Sequence, residues 1–327
     1  MATATWDKQN RGREANKPSE IPAKGWKDTL MRVKKEMGED NLSMISAAMS
    51  FYALLAFVPA ITSMVLIYAW FSDPSQISQH IASVSNVLPK EMQEILKGQL
   101  TALTSKADSA LGFGAIVSLL FSLWSASKGS TALIDALNII YDEKEERGFF
   151  KKTGLALGFT LLATLMAILA IGIIVGIPAF FDYIGLGETL KTVIAAGSWV
   201  VLLALFAFFL AFAYRYAPDR RNAKWTWVSW GAGLAAILWV VASALFSWYA
   251  TEFGNYNKTY GSMGAIIVLM MWFYITSYVV LLGGEVNSEL EHQTKKDSTA
   301  GAPKPMGARG AKMADQVGET SEQISKS

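Results

Sequence analysis

The chain has 327 residues, 52% hydrophobic and only 17% charged, with a net charge of +2 and no cysteine. A soluble globular chain carries about 25% charged residues; the deficit here falls in the middle, because both ends are polar. The near-neutral balance argues against a nucleic-acid partner, and the missing cysteines exclude disulfides, thiolate metal sites and cysteine nucleophiles.

Residues 1–23 are polar, lack periodic apolar positions and hold no apolar core of a cleavable signal peptide. They are expected to be a disordered tail. Next, Trp26, Leu30, Val33 and Met37 recur at helical spacing, with Lys27, Lys34, Lys35 and Glu36 off the stripe. That pattern predicts an amphipathic helix on the membrane surface, at the start of a membrane domain over 24–292.

Six apolar stretches then follow, each about long enough to cross the roughly 30 Å hydrocarbon layer of a bilayer. They lie at roughly 44–71 with Pro59 inside, from near Leu111 in the least apolar stretch, at 153–181, at 190–216, at 226–250 and at 262–285. The fold class is all-α, a polytopic bundle of six transmembrane helices. Between the first two spans, Ile77, Ile81, Val84 and Leu88 form one stripe and Met92, Ile95, Leu96, Leu100 and Leu103 another. These predict two short amphipathic external helices over 75–105, either a packed lid or a substrate gate. Residues 293–327 are again expected to be a disordered tail.

Lysine and arginine collect in alternate loops: Lys24 to Lys35 before the first span, Lys144 to Lys152 after the second, and Arg215 to Lys224 after the fourth. Basic loops stay cytoplasmic, so both termini are expected inside the cell.

Four blocks resemble the YihY/BrkB family of membrane proteins, once labelled ribonuclease BN. They are AAMSFYALLAFVPAI, WSASKGSTALIDALNIIYDEKEERGFF, YAPDRRNAKW and NYNKTYGSMGAIIVLMMWFYITSYVVLLGGEVNSEL. The similarity runs from about Trp26 to Glu291. It implies a six-helix bacterial inner-membrane protein and supplies no established activity, with transport and envelope roles both suggested.

Ionisable residues near hydrocarbon are costly and therefore functional candidates. Trp124, Lys128, Thr131, Asp135 and Asn138 share one helical face, which either lines a polar cavity or is the solvated side of a helix that has left the membrane. Glu285 stands at the end of the last span, one turn before Glu289. It either faces the bundle interior, taking a cation or proton, or anchors the helix end while Gly283-Gly284 pack closely. Asn255, Tyr256 and Tyr260 either satisfy the start of that span or line an outer vestibule. Arg215, Arg220, Arg221 and Lys224, beside Trp225, Trp227 and Trp230, are membrane anchors or contacts for anionic lipid head groups.

No carboxylate cluster, histidine pair or phosphate-binding loop suggests catalysis, so neither enzyme, cofactor nor metal is expected. The leading function is a transporter, exporter or lipid-translocating protein for an amphiphilic or small-molecule substrate, built from two three-span halves. The alternative is a non-transporting envelope scaffold. Membrane lipids are the expected partners. The many small residues in the spans suit a homo-oligomer or intrachain packing equally.

Overall fold

The computed structural model describes residues 11–69, 113–177, 188–252 and 262–326, and every structural statement below concerns these. The expected external helices over 75–105 lie outside them.

Seven long helices carry the fold: α1 (Ala23–Glu39), α2 (Leu42–Ala69), α3 (Phe113–Ile140), α4 (Phe149–Ile171), α5 (Glu188–Tyr216), α6 (Trp225–Glu252) and α7 (Ser262–Glu291). Two single turns follow, α8 (Lys312–Asp315) and α9 (Ser321–Ile324). An isolated antiparallel bridge between Ala223 and Thr299 is the one piece of β-pairing among the described residues.

Residues that resist helical geometry set the boundaries. Pro22 precedes α1. Asn41, at φ 53°, separates α1 from α2, and Asp142, at φ 57°, ends α3; short Asn and Asp side chains tolerate this left-handed region. Pro218 follows α5. Inside α2 the chain stays helical through Pro59, where Thr62 and Ser63 donate to the carbonyls of Val58 and Pro59. A single π-type turn, Gly172–Gly176, extends α4.

Five helices contain stretches long and apolar enough to cross a membrane: Leu42–Met64, Phe149–Ile174, Ala196–Tyr216, Trp225–Tyr249 and Ile266–Glu291. Fewer than a third of the residues in each are buried within the molecule, so the remaining apolar surface needs lipid around it. The expected second span, α3, is a helix of 28 residues but is not among the five. Five serines, Thr131, Lys128 and Asp135 dilute it. The expected count of six therefore turns on α3.

The long helices form a circuit α4–α3–α2–α7–α6–α5, with α5 returning to α4 through the sparsest contact. One end of this circuit, the base, gathers the start of α2, the ends of α3, α5 and α7, the starts of α4 and α6, and both chain termini. The main apolar cluster sits there, with Ile134, Leu137, Tyr141, Leu210, Tyr214, Val228 and Leu281 almost wholly buried. Close backbone approach makes this possible on the α6–α7 seam. A Cβ on Gly231 would stand 2.0 Å from the Gly283 carbonyl oxygen, and one on Gly283 would stand 2.7 Å from the Gly231 oxygen. Gly284 faces Leu137 and Ile140 of α3. Small residues at such seams let helix backbones meet in lipid.

Two expectations from composition need correction at the base. Residues 11–23 and 293–326 were expected as parts of disordered tails over 1–23 and 293–327, yet they are folded against each other. Gln293 and Thr294 are fully buried, their side chains donating to the backbone oxygens of Arg11 (2.7 Å) and Ala15 (2.7 Å). The backbone N–H of Lys295 donates to Arg13 (2.7 Å), and that of Gly318 donates to His292 (2.9 Å). The order comes from hydrogen bonds and ion pairs, which apolar periodicity does not register. The same reason corrects α1. Its apolar stripe does pack, through Val33 and Trp26, against Trp227, Val286 and Leu290. Its polar residues Asp28, Thr29 and Arg32 are buried too, so α1 is held against α7 as well as any surface beneath it.

Candidate functional site

The densest arrangement of buried polar groups lies at the base, around the last two turns of α7. Three alternate positions there, Asn287, Glu289 and Glu291, reach different neighbours. Asn287 accepts from the backbone N–H of Gly231 (2.7 Å) and donates to the Val228 carbonyl (3.0 Å), fastening α7 to α6. Glu289 pairs with the Arg32 side chain of α1, and Arg32 also donates to the Glu289 carbonyl and the Gln293 side chain, both at 2.9 Å. Glu291 accepts two bonds from Arg220, at 2.7 and 3.1 Å, with both side chains fully buried, and a third from Ser298 at 2.7 Å. The Arg220 guanidinium also lies 4.0 Å from the centre of the Tyr141 ring. Buried charges persist when paired and hydrogen-bonded in this way.

Glu285 differs from these three. It is 1% exposed, and its Oε1 has no hydrogen-bond partner. Asp40, at the corner between α1 and α2, is among the groups whose charge acts on it. Burial, together with the charges of Asp142, Glu39 and Glu289, raises Asp40 above its ordinary value. One turn earlier, burial and the charges of Glu289 and Glu39 push Glu36 up to about 7. At the opposite flank, burial disfavours the Asp28 carboxylate, but hydrogen bonds from Arg11 (2.7 and 2.8 Å) and the backbone N–H of Ser321 (2.8 Å) hold it below its ordinary value.

The stripe on α3 divides. Trp124 is exposed, with the ammonium of the exposed Lys128 4.9 Å from its ring centre. Asp135 is half exposed and paired with Lys152 of α4. Asn138 is buried, donating to Glu145 (3.0 Å) and accepting from the Asp219 backbone (2.7 Å). These four do not surround one space.

The basic quartet also has protein partners. Arg215 donates to the Ala223 carbonyl (2.5 Å) and lies 4.7 Å from the Trp225 ring centre. Arg220 holds Glu291 as above. Arg221 reaches the Ala302 carbonyl (2.9 Å) and Asp297 (3.8 Å), and Lys224 donates to the Asp297 carbonyl (2.5 Å). Three of the four therefore bind the segment from 291 to 302. Asn255, Tyr256 and Tyr260 lie outside the described residues, so only Glu285 and Asn138, of the expected substrate contacts, are buried in the base.

Sequence reasoning overlooked Asp40, Arg32, Asn287 and Glu291. Asn287, Glu289 and Glu291 stood in view beside Glu285, but their partners are spread over the chain. Arg32 lies in the helix read as a surface element, Gly231 and Val228 in α6, Arg220 in the loop after α5 and Ser298 in the segment read as a tail. Among the described residues, no group of three or more His, Cys, Asp or Glu is arranged to hold a metal ion.

Residues 33–307 match the family described as virulence factor BrkB. The ribonuclease-like protein YfkH of Bacillus subtilis is 31% identical over 257 residues, covering 77% of this chain and 90% of that protein. A UPF0761 membrane protein of Idiomarina loihiensis is 24% identical over 267 residues (79% and 88% of the two chains). One of Haemophilus influenzae is 24% identical over 262 residues (79% and 93%). No solved structure matches. The match extends past α7 into the buried C-terminal segment, as expected if that segment is part of the folded unit. The chain is a multi-pass bacterial membrane protein and belongs to the virulence factor BrkB family.

Proposed function

We propose that this protein translocates an amphiphilic substrate across the bacterial inner membrane, with the base as its closed cytoplasmic end. The observation that carries the reading is the contrast between the packed base and the α4–α5 seam. There the circuit opens into a cavity of about 260 Å³ lined by apolar residues, among them Ala163, Ala167, Ala170, Leu202, Phe206 and Phe209. Sites for small molecules are concave and mostly apolar, and this lining suits an acyl or other hydrocarbon tail.

The orientation has two supports. Basic residues gather at the base, on the ends of α3, α5 and α7 and the starts of α1 and α4, as the positive-inside tendency requires. The N- and C-terminal segments also bind each other there, which an even number of crossings allows and an odd number forbids. With five strongly apolar spans, α3 supplies the sixth. No catalytic step enters this reading. Arg215, between Tyr216 and Trp225, stands where an interfacial head group would meet it.

A non-transporting envelope scaffold is favoured by one observation of its own: an apolar cluster fills the base, and the surrounding cations are committed to protein partners. Purified protein in liposomes separates the two. Translocation predicts lipid scrambling or solute flux above protein-free vesicles, reduced by Ala167→Phe without loss of folded protein. Folded protein that moves neither lipid nor solute would leave the scaffold.

A further inference from the structure

Lys128 is the single cation of α3, and its two neighbours in sequence fix how deep it lies. Gly129 packs against α2: a Cβ there would stand 3.1 Å from the Ala56 Cβ and 3.8 Å from the Tyr52 carbonyl oxygen. Tyr52 and Ala56 are residues 11 and 15 of the 23 in the apolar stretch Leu42–Met64. Ser130 packs against α4, its Oγ 2.8 Å from the Thr160 hydroxyl. Thr160 is residue 12 of the 26 in the stretch Phe149–Ile174. Both neighbours thus meet a flanking helix near the middle of its apolar run, and Lys128 lies at the same depth.

From there the base is out of reach. Ile140 ends α3 twelve residues on, about 18 Å along a helix, and a lysine has only a four-carbon stem. The ammonium turns the other way, with the Trp124 ring centre 4.9 Å from it and one turn farther from the base. Among the described residues it has no other partner; Asp135, the one acid of α3, is paired with Lys152. Successive residues are about 100° apart around a helix, so Lys128 faces nearly opposite to Ser130 and away from α4. That face is open and apolar on both sides of the ammonium. Val117, Phe121 and Trp124 toward the far half, and Ile139 toward the base, are each more than two-fifths exposed.

A cation at hydrocarbon depth is costly and marks a substrate path or a missing counter-ion. The counter-ion here has to cover apolar surface as well, which a free inorganic anion would leave bare. We propose that Lys128 binds the phosphate of an anionic phospholipid midway across the membrane, with the lipid chains along the exposed face of α3. The site rests on the translocation reading, in which α3 is the sixth span, and names the substrate class for it. A phosphate crossing hydrocarbon meets the same cost as the ammonium, and pairing lowers both. A zwitterionic lipid carries its own ammonium and gains less. When the site is empty, the face of the Trp124 ring holds the lysine by cation–π attraction.

The experiment places the full-length protein in vesicles carrying chain-spin-labelled phosphatidylglycerol or phosphatidylcholine. The fraction of each lipid held at the protein gives their relative affinity. The measurement is made in about 1 M salt, where a Debye length of about 3 Å screens the cations at the membrane surface. Wild type is expected to prefer phosphatidylglycerol about fivefold, the contribution of one basic residue to anionic lipid binding. Lys128→Met should abolish the preference and Lys128→Arg should keep it; Lys128→Gln takes the place of Lys128→Met should that variant fail to fold. An equal preference in wild type and the uncharged variant would overturn the site. So would loss of the preference on adding inorganic phosphate, which would show that a free anion occupies it.

The chain has no cysteine, so a spin label on Lys128→Cys reports depth at a single position. The label should collide more with oxygen than with a water-soluble nickel chelate; the reverse would overturn the site by placing the position in water. Lipid flux is read in the same vesicles. A preference that depends on Lys128, without flux in wild type, would sink translocation and leave the site. Flux without that preference would do the opposite.

Discussion

The base and the far half of the bundle are made of the same helices but are held by different forces. At the base, chain segments with little apolar periodicity are bound by buried ion pairs, a shared-glycine seam and side chains that donate to distant backbone. Toward the far half, burial thins, and residues such as Trp199, Leu245 and Trp248 are more than half exposed. Only lipid makes that surface stable. A span in a membrane protein can thus be secure at one end through its partners and at the other through its solvent, and substitutions should report which.

The largest effect is expected from Arg220→Ala. Removing one member of a fully buried pair leaves Glu291 charged and uncompensated, a loss of roughly 3–5 kcal/mol, checked by denaturant or thermal unfolding in detergent. Glu291 keeps Ser298 as a donor, so the double variant Arg220→Met with Glu291→Gln should recover much of the loss. Gly231→Ala comes next, because the added methyl meets backbone and the Asn287 side chain within 2.6 Å. Overpacking of this kind costs roughly 1–3 kcal/mol, and the seam should open measurably in cross-linking between α6 and α7. A loss equal to that of a far-half surface change would mean that the seam is not the fastening.

The acid limb gives an intermediate effect. Asp28 titrates below the ordinary carboxylate range, so its contribution is complete above about pH 4 and disappears as pH falls further. Asp28→Asn should weaken the protein by about 1.5–3 kcal/mol at neutral pH and blunt that acid loss. Limited proteolysis should then release residues 293–326 first. Asp135→Asn is expected to cost less than about 1 kcal/mol, since its pair with Lys152 is partly exposed and such pairs contribute little. Smallest of all, Leu245→Ala should change stability by no more than about 0.5 kcal/mol in detergent. A large loss there would erase the distinction between the two regions.

Much of the membrane part was legible before any coordinates. The helices at 44–71, 153–181, 190–216, 226–250 and 262–285 appear close to their expected places, because twenty apolar residues in a row leave the backbone few alternatives to a helix in lipid. The weakness of the second span was legible too, and it is the helix on which the count turns. Within the candidate site, Glu285 was visible because a carboxylate at the end of an apolar run is expensive. Asp40 was not, since it sits in a polar stretch where acidic residues are ordinary. The same blindness applied to Arg11 and Arg32, which find Glu322 and Glu289 from 311 and 257 residues away.

Local composition alone therefore determined what this chain must be surrounded by: the length and apolarity of each run are properties of neighbours in sequence, and lipid responds to those. Only the tertiary structure decided which polar residues meet, that both ends of the chain close the base, and that Glu285 is buried there with an unpartnered oxygen. Those outcomes depend on pair distances between remote segments, and a charged or hydrogen-bonding side chain looks the same in sequence whether its partner is water or a buried residue three hundred positions away.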